Sequence, residues 1–291
     1  MSPGFQTSSR SEVVRNGIET QEQEQGVSRS QLLKHSKAER LPPDQATLLH
    51  PIFGPQDRLV SLTGNGSLGA EKFSLLSMRL KYLQDQHQVQ KVVLTSSMLG
   101  EGKSLVAANL AISLARGTKQ KVLLLEGDLR RPVLSQLLAG SELKGLSELL
   151  HLGGSPAKFL YRMAGLPVWV LFAGTLREHP LELLQSSQLP QLLDQFTESF
   201  DWILIDAPPL LPLADADLWT RLSDGVLLVI RENKTRKKIL QKALDTLKNA
   251  TLLGLVLNEA AGLDQSYYED SQDRTAAKNH RRIHTKNGAP S

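Results

Sequence analysis

The chain has 291 residues, which is long enough for one sizeable α/β domain plus tails or for two small domains, and its 40% hydrophobic and 22% charged residues are ordinary for a soluble globular protein. It contains no cysteine, which excludes a disulfide framework, a zinc–thiolate site and a thiol redox motif. The net charge of +4 is only mildly basic, and no apolar run approaches the roughly 18–20 residues of a membrane-spanning helix.

The first 68 residues differ in composition from the chain that follows. They are rich in Ser, Gln, Glu, Pro and Gly and include the low-complexity run QEQEQGVSRSQ, which predicts a disordered or extended arm over residues 1–68. After this arm the pattern changes, and apolar residues recur at helical spacing at Phe73, Leu76, Leu80 and Leu83. This spacing predicts an amphipathic helix of about four turns.

Short apolar strands and helices alternate through the rest of a domain that we predict over residues 69–262. The predicted strands are 89–96, 121–128, 166–174, 200–209, 224–230 and 252–260. The predicted helices lie near 103–116, 181–199, 213–222 and 235–249. This alternation predicts an α/β fold, a parallel sheet with helices on both faces. Residues 263–291 are polar and predict a flexible tail.

The segment SSMLGEGKS, residues 96–104, joins the first of these strands to a helix and has the character of a phosphate-binding loop, as in P-loop NTPases. Lys103 would reach the β- and γ-phosphates, and the Ser104 hydroxyl would bind Mg²⁺. Ser97 stands where the motif G-x-x-x-x-G-K-[ST] begins with glycine. The predicted nucleotide-binding residues are Ser97, Gly100, Glu101, Gly102, Lys103, Ser104 and Leu105.

Two carboxylates follow apolar strands at the positions where a phosphate site needs them. Asp206 ends the run WILI, which is the form of a Walker B acid, and Asp128 follows VLLLEG. We expect Asp128 and Asp206 to bind Mg²⁺ together with Ser104. Asp215 and Asp217 are predicted to be residues of a first helical turn.

Three segments in this order, SSMLGEGKS, VLLLEGDLRRP and DWILIDAPP, resemble the bacterial tyrosine kinases of capsule and exopolysaccharide loci, which are relatives of the ParA/MinD ATPases. The similarity runs from about residue 58 to 262. It implies a cytoplasmic, ATP- and Mg²⁺-dependent tyrosine autokinase, recruited to the inner face of the plasma membrane by a polysaccharide co-polymerase-type adaptor. It also implies a cognate tyrosine phosphatase and leaves a homo-oligomer open. Aromatic residues do not interleave with the basic clusters of the chain, so we expect no nucleic-acid partner.

The resemblance assigns catalytic roles to Lys103, Asp128 and Asp206. It also assigns one to Glu126, which occupies the position of an Asp that helps to accept the proton of the attacking tyrosine. Glu keeps the charge but displaces the carboxylate by one methylene. A shift of about 1 Å in a proton acceptor can cost ~100-fold in rate.

Other positions of the family pattern lie on the surface or in the tail. Arg130 and Arg131 match arginines that neutralise charge or contact a neighbouring subunit, and Asn258 matches a position that often meets adenine. Tyr267 and Tyr268 are the predicted autophosphorylation sites. The family's ring-forming arginines are replaced by serines at residues 74 and 77, which puts ring assembly in doubt.

Two alternative functions stay open from the sequence. A nucleotide-binding regulator without phosphoryl transfer is favoured by Glu126 and by the short tyrosine cluster. A ParA/MinD-like positioning ATPase would carry a signature lysine at residue 98, where this chain has Met98.

Overall fold

The structure, a computed structural model, describes residues 46–51, 58–63, 67–141, 143–175, 179–211 and 215–260. Within these ranges the chain forms one eight-stranded sheet and nine α-helices. The strands are β1 (Thr47–Leu49), β2 (Lys91–Ser96), β3 (Val122–Glu126), β4 (Tyr161–Met163), β5 (Val168–Leu171), β6 (Trp202–Asp206), β7 (Gly225–Arg231) and β8 (Leu252–Asn258).

The helices connect these strands and cover both faces of the sheet. They are α1 (Val60–Thr63), α2 (Leu68–His87), α3 (Lys103–Thr118), α4 (Leu134–Ala139), α5 (Leu146–Leu152), α6 (Pro180–Leu184), α7 (Gln188–Thr197), α8 (Asp215–Arg221) and α9 (Lys237–Thr246). A 3₁₀ turn spans Pro156–Phe159. None of the helices in the described ranges combines the length and the hydrophobicity that a bilayer crossing requires.

The strand order is β1–β4–β5–β3–β6–β2–β7–β8, and neighbouring strands are parallel except β4 and β5. The predicted α/β fold with a sheet between two helical layers is therefore confirmed, apart from this one antiparallel pair. Only four residues separate β4 from β5, and a connection so short permits only an antiparallel hairpin.

The core consists of two apolar layers, one on each face of the sheet. Side chains alternate along β3, so that Leu123 and Leu125 pack towards α5–α9, while Val122 and Leu124 pack towards α2–α4. The central strands are buried on both faces, which is why they appear in the sequence as continuous apolar runs.

The structure differs from the predicted elements in two of the places named here, and a third is not described. The predicted arm, residues 1–68, includes β1 and α1, and Leu59 beside α1 is fully buried against the domain. The helix predicted at 181–199 is two helices, α6 and α7, because the chain turns between them. The predicted tail, residues 263–291, lies outside the described residues.

Candidate active site

The loop between β2 and α3 has the backbone shape of a phosphate-binding loop. Gly100 and Gly102 have φ values of +79° and +89°, in the region that favours glycine. A Cβ atom at Gly102 would lie 2.1 Å from Nδ2 of Asn258, so a larger residue would displace that side chain. Gly102 is the N-cap residue of α3, and the loop therefore ends at a helix N-terminus, where backbone N–H groups attract phosphate.

The structure brings four predicted site residues together around the Lys103 ammonium group. Lys103 Nζ lies 3.1 Å from Oδ2 of Asp128, 3.3 Å from Oδ1 of Asp206 and 3.3 Å from Oγ of Ser104. The two acids reach this point because β3 and β6 are adjacent parallel strands whose carboxyl ends meet at one edge. This edge of an α/β sheet is where such folds bind ligands.

Burial sets the electrostatics of this cluster. It lowers the pKa of Lys103, but Asp206 and Asp128 outweigh it, so the pKa lies above its usual value and the amine stays charged. Burial also raises the pKa of Asp206, against the opposing effects of Lys103 and Ser104. The negative charge of Asp206 therefore costs free energy in this structure unless a further positive group binds to it.

Unsatisfied polar atoms indicate what the cluster lacks. Oδ2 of Asp206 and Oγ of Ser97 are buried, and neither has a hydrogen-bond partner among the described residues. A buried carboxylate oxygen without a partner is costly, and a bound cation would satisfy it. The oxygen donors of Ser104, Asp128 and Asp206 suit Mg²⁺, which typically takes one or two carboxylates and completes its shell with phosphates and water.

The described residues contain no group of three or more His, Cys, Asp or Glu side chains that could hold a metal ion by themselves.

A second set of side chains supports the loop from the β7–β8 side of the sheet. Asn258 Nδ2 donates to the Glu101 carbonyl at 3.0 Å, and Arg231 Nη1 donates to the Gly100 carbonyl at 3.3 Å. The Glu101 carboxylate accepts from the Met98 amide at 3.0 Å and from the Thr235 hydroxyl. Asn258 thus holds the loop; its predicted contact with adenine stays a prediction. Sequence reasoning missed Arg231, which has no local motif.

A cleft of about 500 Å³ opens beside the loop and the Lys103 cluster. Its walls include apolar side chains at Leu99, Leu105 and Leu137 and two cationic ones, Arg58 and Arg131. Arg58 lies within the arm predicted over residues 1–68, so sequence reasoning missed it. The cleft therefore combines an apolar wall with positive charge near the predicted phosphate position.

The structure separates the two arginines that the sequence treated alike. Arg130 makes a bidentate ion pair with Asp215, Nε to Oδ2 at 2.6 Å and Nη2 to Oδ1 at 3.2 Å. Asp215 is 2% exposed and lies in the first turn of α8, as predicted. Both arginines are exposed, but Arg130 is paired with the buried Asp215, whereas Arg131 lines the cleft.

Glu126 is buried and bonded to backbone amides, and its predicted role as a proton acceptor stays a prediction. Its Oε1 accepts from the amides of Val133 and Leu134, both at 2.6 Å, and its Oε2 accepts from the Ala173 amide at 3.0 Å. Burial raises the pKa of Glu126 to about 7, although these backbone donors oppose the shift. Both oxygens are thus engaged with backbone.

The remaining predicted residues lie on α2 or outside the described ranges. Ser74 and Ser77 bond within α2, Ser74 to the Ala70 carbonyl at 3.0 Å and Ser77 to the Ser74 carbonyl at 2.8 Å. Ser77 also accepts from Ser113 of α3 at 3.3 Å, so it faces a neighbouring helix rather than solvent. Tyr267 and Tyr268 lie outside the described residues.

Comparison with known proteins gives sequence relatives that include bacterial tyrosine-protein kinases. No family model matches the chain. The tyrosine-protein kinase YwqD of Bacillus subtilis (strain 168) is 32% identical over 205 residues, which cover 70% of this chain and 86% of YwqD. ExoP, a succinoglycan biosynthesis transport protein of Rhizobium meliloti (strain 1021), is 29% identical over 208 residues, covering 69% of this chain but 26% of ExoP.

A solved structure agrees with these sequence relatives. The crystal structure of the chimerical protein CapA2B2 superposes with a TM-score of 0.67 at 28% identity, covering 74% of this chain and 95% of that chain. The fold therefore occurs in a solved protein that is similar to this chain.

Proposed function

The chain belongs to the bacterial tyrosine-kinase family, and on this premise we propose that it transfers the γ-phosphoryl group of ATP to tyrosine, including Tyr267 and Tyr268 of its own tail. One observation carries the proposal for the site. Lys103 lies between Asp128 and Asp206 beside a glycine loop at a helix N-terminus, and one oxygen of Asp206 is buried without a partner among the described residues. This arrangement suits a triphosphate with its magnesium ion.

The residues of the site would divide the work as follows. Ser104, Asp128 and Asp206 would hold Mg²⁺, which neutralises phosphate charge when bound. Lys103 and the loop amides at the start of α3 stabilise negative charge on the γ-phosphoryl oxygens. The phenol oxygen bonds to the γ-phosphorus as the bond to the β-bridging oxygen breaks, and ADP leaves with that electron pair. The phenol proton passes to one of the two carboxylates beside Lys103, Asp128 or Asp206.

The same premise supports a role in polysaccharide assembly. ExoP is named for succinoglycan biosynthesis and transport, and its length exceeds the matched region several-fold. We infer that this chain regulates capsular or exopolysaccharide polymerisation and export together with a separate membrane adaptor of the co-polymerase type. That adaptor would recruit the cytoplasmic kinase to the inner face of the plasma membrane, and a tyrosine phosphatase would reverse its modification.

A second candidate is a nucleotide-binding regulator that transfers no phosphoryl group. The observation that favours it is the engagement of both Glu126 oxygens by backbone amides. A ParA/MinD-like positioning ATPase has less support, because Met98 stands at the position of the signature lysine and carries no ammonium group.

Phosphopeptide mass spectrometry on the purified full chain incubated with Mg·ATP tests the proposal. We expect phosphate on Tyr267 or Tyr268, none in Lys103→Ala, and unchanged phosphorylation in Lys242→Ala, where an exposed lysine of α9 is removed as a control. Nucleotide binding without phosphotyrosine, even after addition of the cytosolic segment of a membrane adaptor, would contradict the kinase and support the regulator.

A further inference from the structure

Glu126 and Asp206 end adjacent strands at the same register position, and both are fully buried. Only Asp206 contacts Lys103 among the interactions described above. Glu126 instead receives three backbone N–H groups, two from Val133 and Leu134 and one from Ala173. These donors come from the start of α4 and from the segment after β5, so one side chain joins three parts of the domain.

The loop between Glu126 and α4 carries the site residues Asp128 and Arg131. Its first half is fixed by the Gly127 and Asp128 amides, which donate to the Asp206 carbonyl at 2.9 and 3.1 Å. Asp128 Oδ1 accepts from the Arg131 amide at 3.1 Å, which leaves Oδ2 for Lys103. Glu126 closes the far end of this loop through the amides at which α4 begins.

We propose that Glu126 is a positioning residue that fixes the loop from Asp128 to Leu134 for catalysis and takes no proton from the substrate tyrosine. The inference rests on the proposed kinase function, but its structural part does not need phosphoryl transfer. Oε1 accepts two backbone N–H groups and Oε2 accepts one, so the geometry ties this side chain to both neighbouring segments.

The length of the side chain is part of this role. A carboxylate one methylene shorter would retreat by about 1.5 Å, the length of one carbon–carbon bond. Hydrogen bonds that are now 2.6 Å long would then exceed the range in which N–H···O bonds form. Glu at this position therefore spans a distance that Asp does not span.

The test compares Glu126→Asp and Glu126→Gln in the full chain, because the two roles predict opposite rank orders. If Glu126 positions the loop, Gln retains the length and one acceptor oxygen, so the transfer rate falls in the order wild type, Gln, Asp. We expect about 100-fold loss in the Asp variant, the scale set by a misplacement of about 1 Å. If Glu126 accepts the proton, Asp equals or exceeds wild type and Gln is the slowest.

Two measurements report positioning without any phosphoryl transfer. We expect hydrogen exchange at the Val133, Leu134 and Ala173 amides to quicken in Glu126→Asp, and the affinity for a non-hydrolysable ATP analogue with Mg²⁺ to fall by about 10-fold. Glu148→Gln is the matched control, since Glu148 is another buried acid that accepts backbone amides, from Gly145 at 2.8 Å and Thr175 at 3.0 Å. It should leave analogue affinity unchanged.

The inference is overturned if Glu126→Asp transfers phosphate at least as fast as wild type. It is also overturned if hydrogen exchange at the Val133, Leu134 and Ala173 amides is equally fast in Glu126→Asp and in wild type. Failure of the kinase proposal has a different signature, since a wild-type chain without phosphotyrosine would still show the exchange and affinity differences among the variants.

Discussion

The ends of β3 and β6 each hold a buried carboxylate, and the surroundings of the two groups differ. The Glu126 carboxylate at the end of β3 accepts three backbone N–H groups, from the start of α4 and from the segment after β5. The Asp206 carboxylate at the end of β6 faces Lys103 with one oxygen and has no partner among the described residues for the other. Burial alone therefore does not distinguish an acid that binds a ligand from one that holds the fold together. The hydrogen-bond partners of the two carboxylates distinguish them.

The largest effect we expect is at Asp206. Replacement by Asn keeps the shape but removes the charge that pairs with Lys103 and would bind the metal. Phosphotyrosine formation should fall by about 1,000-fold, which corresponds to about 4 kcal/mol in the barrier. Single-turnover kinetics at saturating Mg·ATP would measure the rate of phosphotyrosine formation. A decrease of less than about 10-fold would contradict the proposed difference between Asp206 and Glu126.

Replacing Arg130 tests whether its ion pair with Asp215 stabilises the loop after β3. Arg130→Ala leaves the buried Asp215 without its bidentate partner, so we expect the free energy of unfolding to fall by about 2–3 kcal/mol. Arg131→Ala is the matched control and should cost less than about 0.5 kcal/mol, because Arg131, which is exposed like Arg130, pairs with no buried carboxylate among the described residues. Equal destabilisation in urea titrations would contradict the separation of the two arginines.

Glu148 is a second buried acid that is held by backbone amides, and the direction of its pKa shift fixes how its contribution to stability depends on pH. Burial raises its pKa, but the amides of Gly145 and Thr175 outweigh burial and lower the pKa below its usual value. Its contribution is therefore present at neutral pH and lost as pH falls through the lowered folded pKa.

Glu148→Gln should accordingly cost about 1–3 kcal/mol at pH 7 and progressively less below about pH 4. Urea denaturation of wild type and variant across this range gives the difference. A difference that grows as pH falls would show that Glu148 is not held as an anion.

The smallest effect we expect distinguishes two glycines of the phosphate loop. Both have positive φ, but a Cβ at Gly102 collides with Asn258, whereas at Gly100 nothing lies within 4 Å. Gly102→Ala should weaken binding of an ATP analogue by about 10-fold, or about 1.4 kcal/mol, and Gly100→Ala by less. Calorimetric titration of both variants would show equal losses if backbone strain alone mattered.

The fold was largely predictable because its central strands are continuous apolar runs and its phosphate loop has a motif. The strands β1 and β4 were missed, since each has only three residues and no apolar run marks them. The antiparallel pairing of β4 with β5 follows from a short connection between two strands of which one was not predicted. Strand order could not be predicted either, because pairing is decided by contacts far apart in sequence.

The site was predictable where its residues occupy positions of a recognisable sequence motif. Lys103, Ser104, Asp128 and Asp206 were predicted to share a site, and the structure brings them together. The pair between Arg130 and Asp215 joins residues 85 positions apart, and the Glu126–Ala173 bond joins residues 47 apart. No local pattern shows such partners, so the backbone contacts of Glu126 could be found only from the structure.

The most direct test of the contrast between the two acids is the Mg²⁺ dependence of nucleotide binding. The affinity for a fluorescent ATP analogue would be titrated with and without Mg²⁺ in wild type, Asp206→Asn and Glu126→Gln. We predict that Mg²⁺ tightens binding by the same factor in wild type and Glu126→Gln, and that Asp206→Asn loses this enhancement. Enhancement that survives in Asp206→Asn but disappears in Glu126→Gln would contradict the account, because the metal would then depend on the acid that we assign to the backbone.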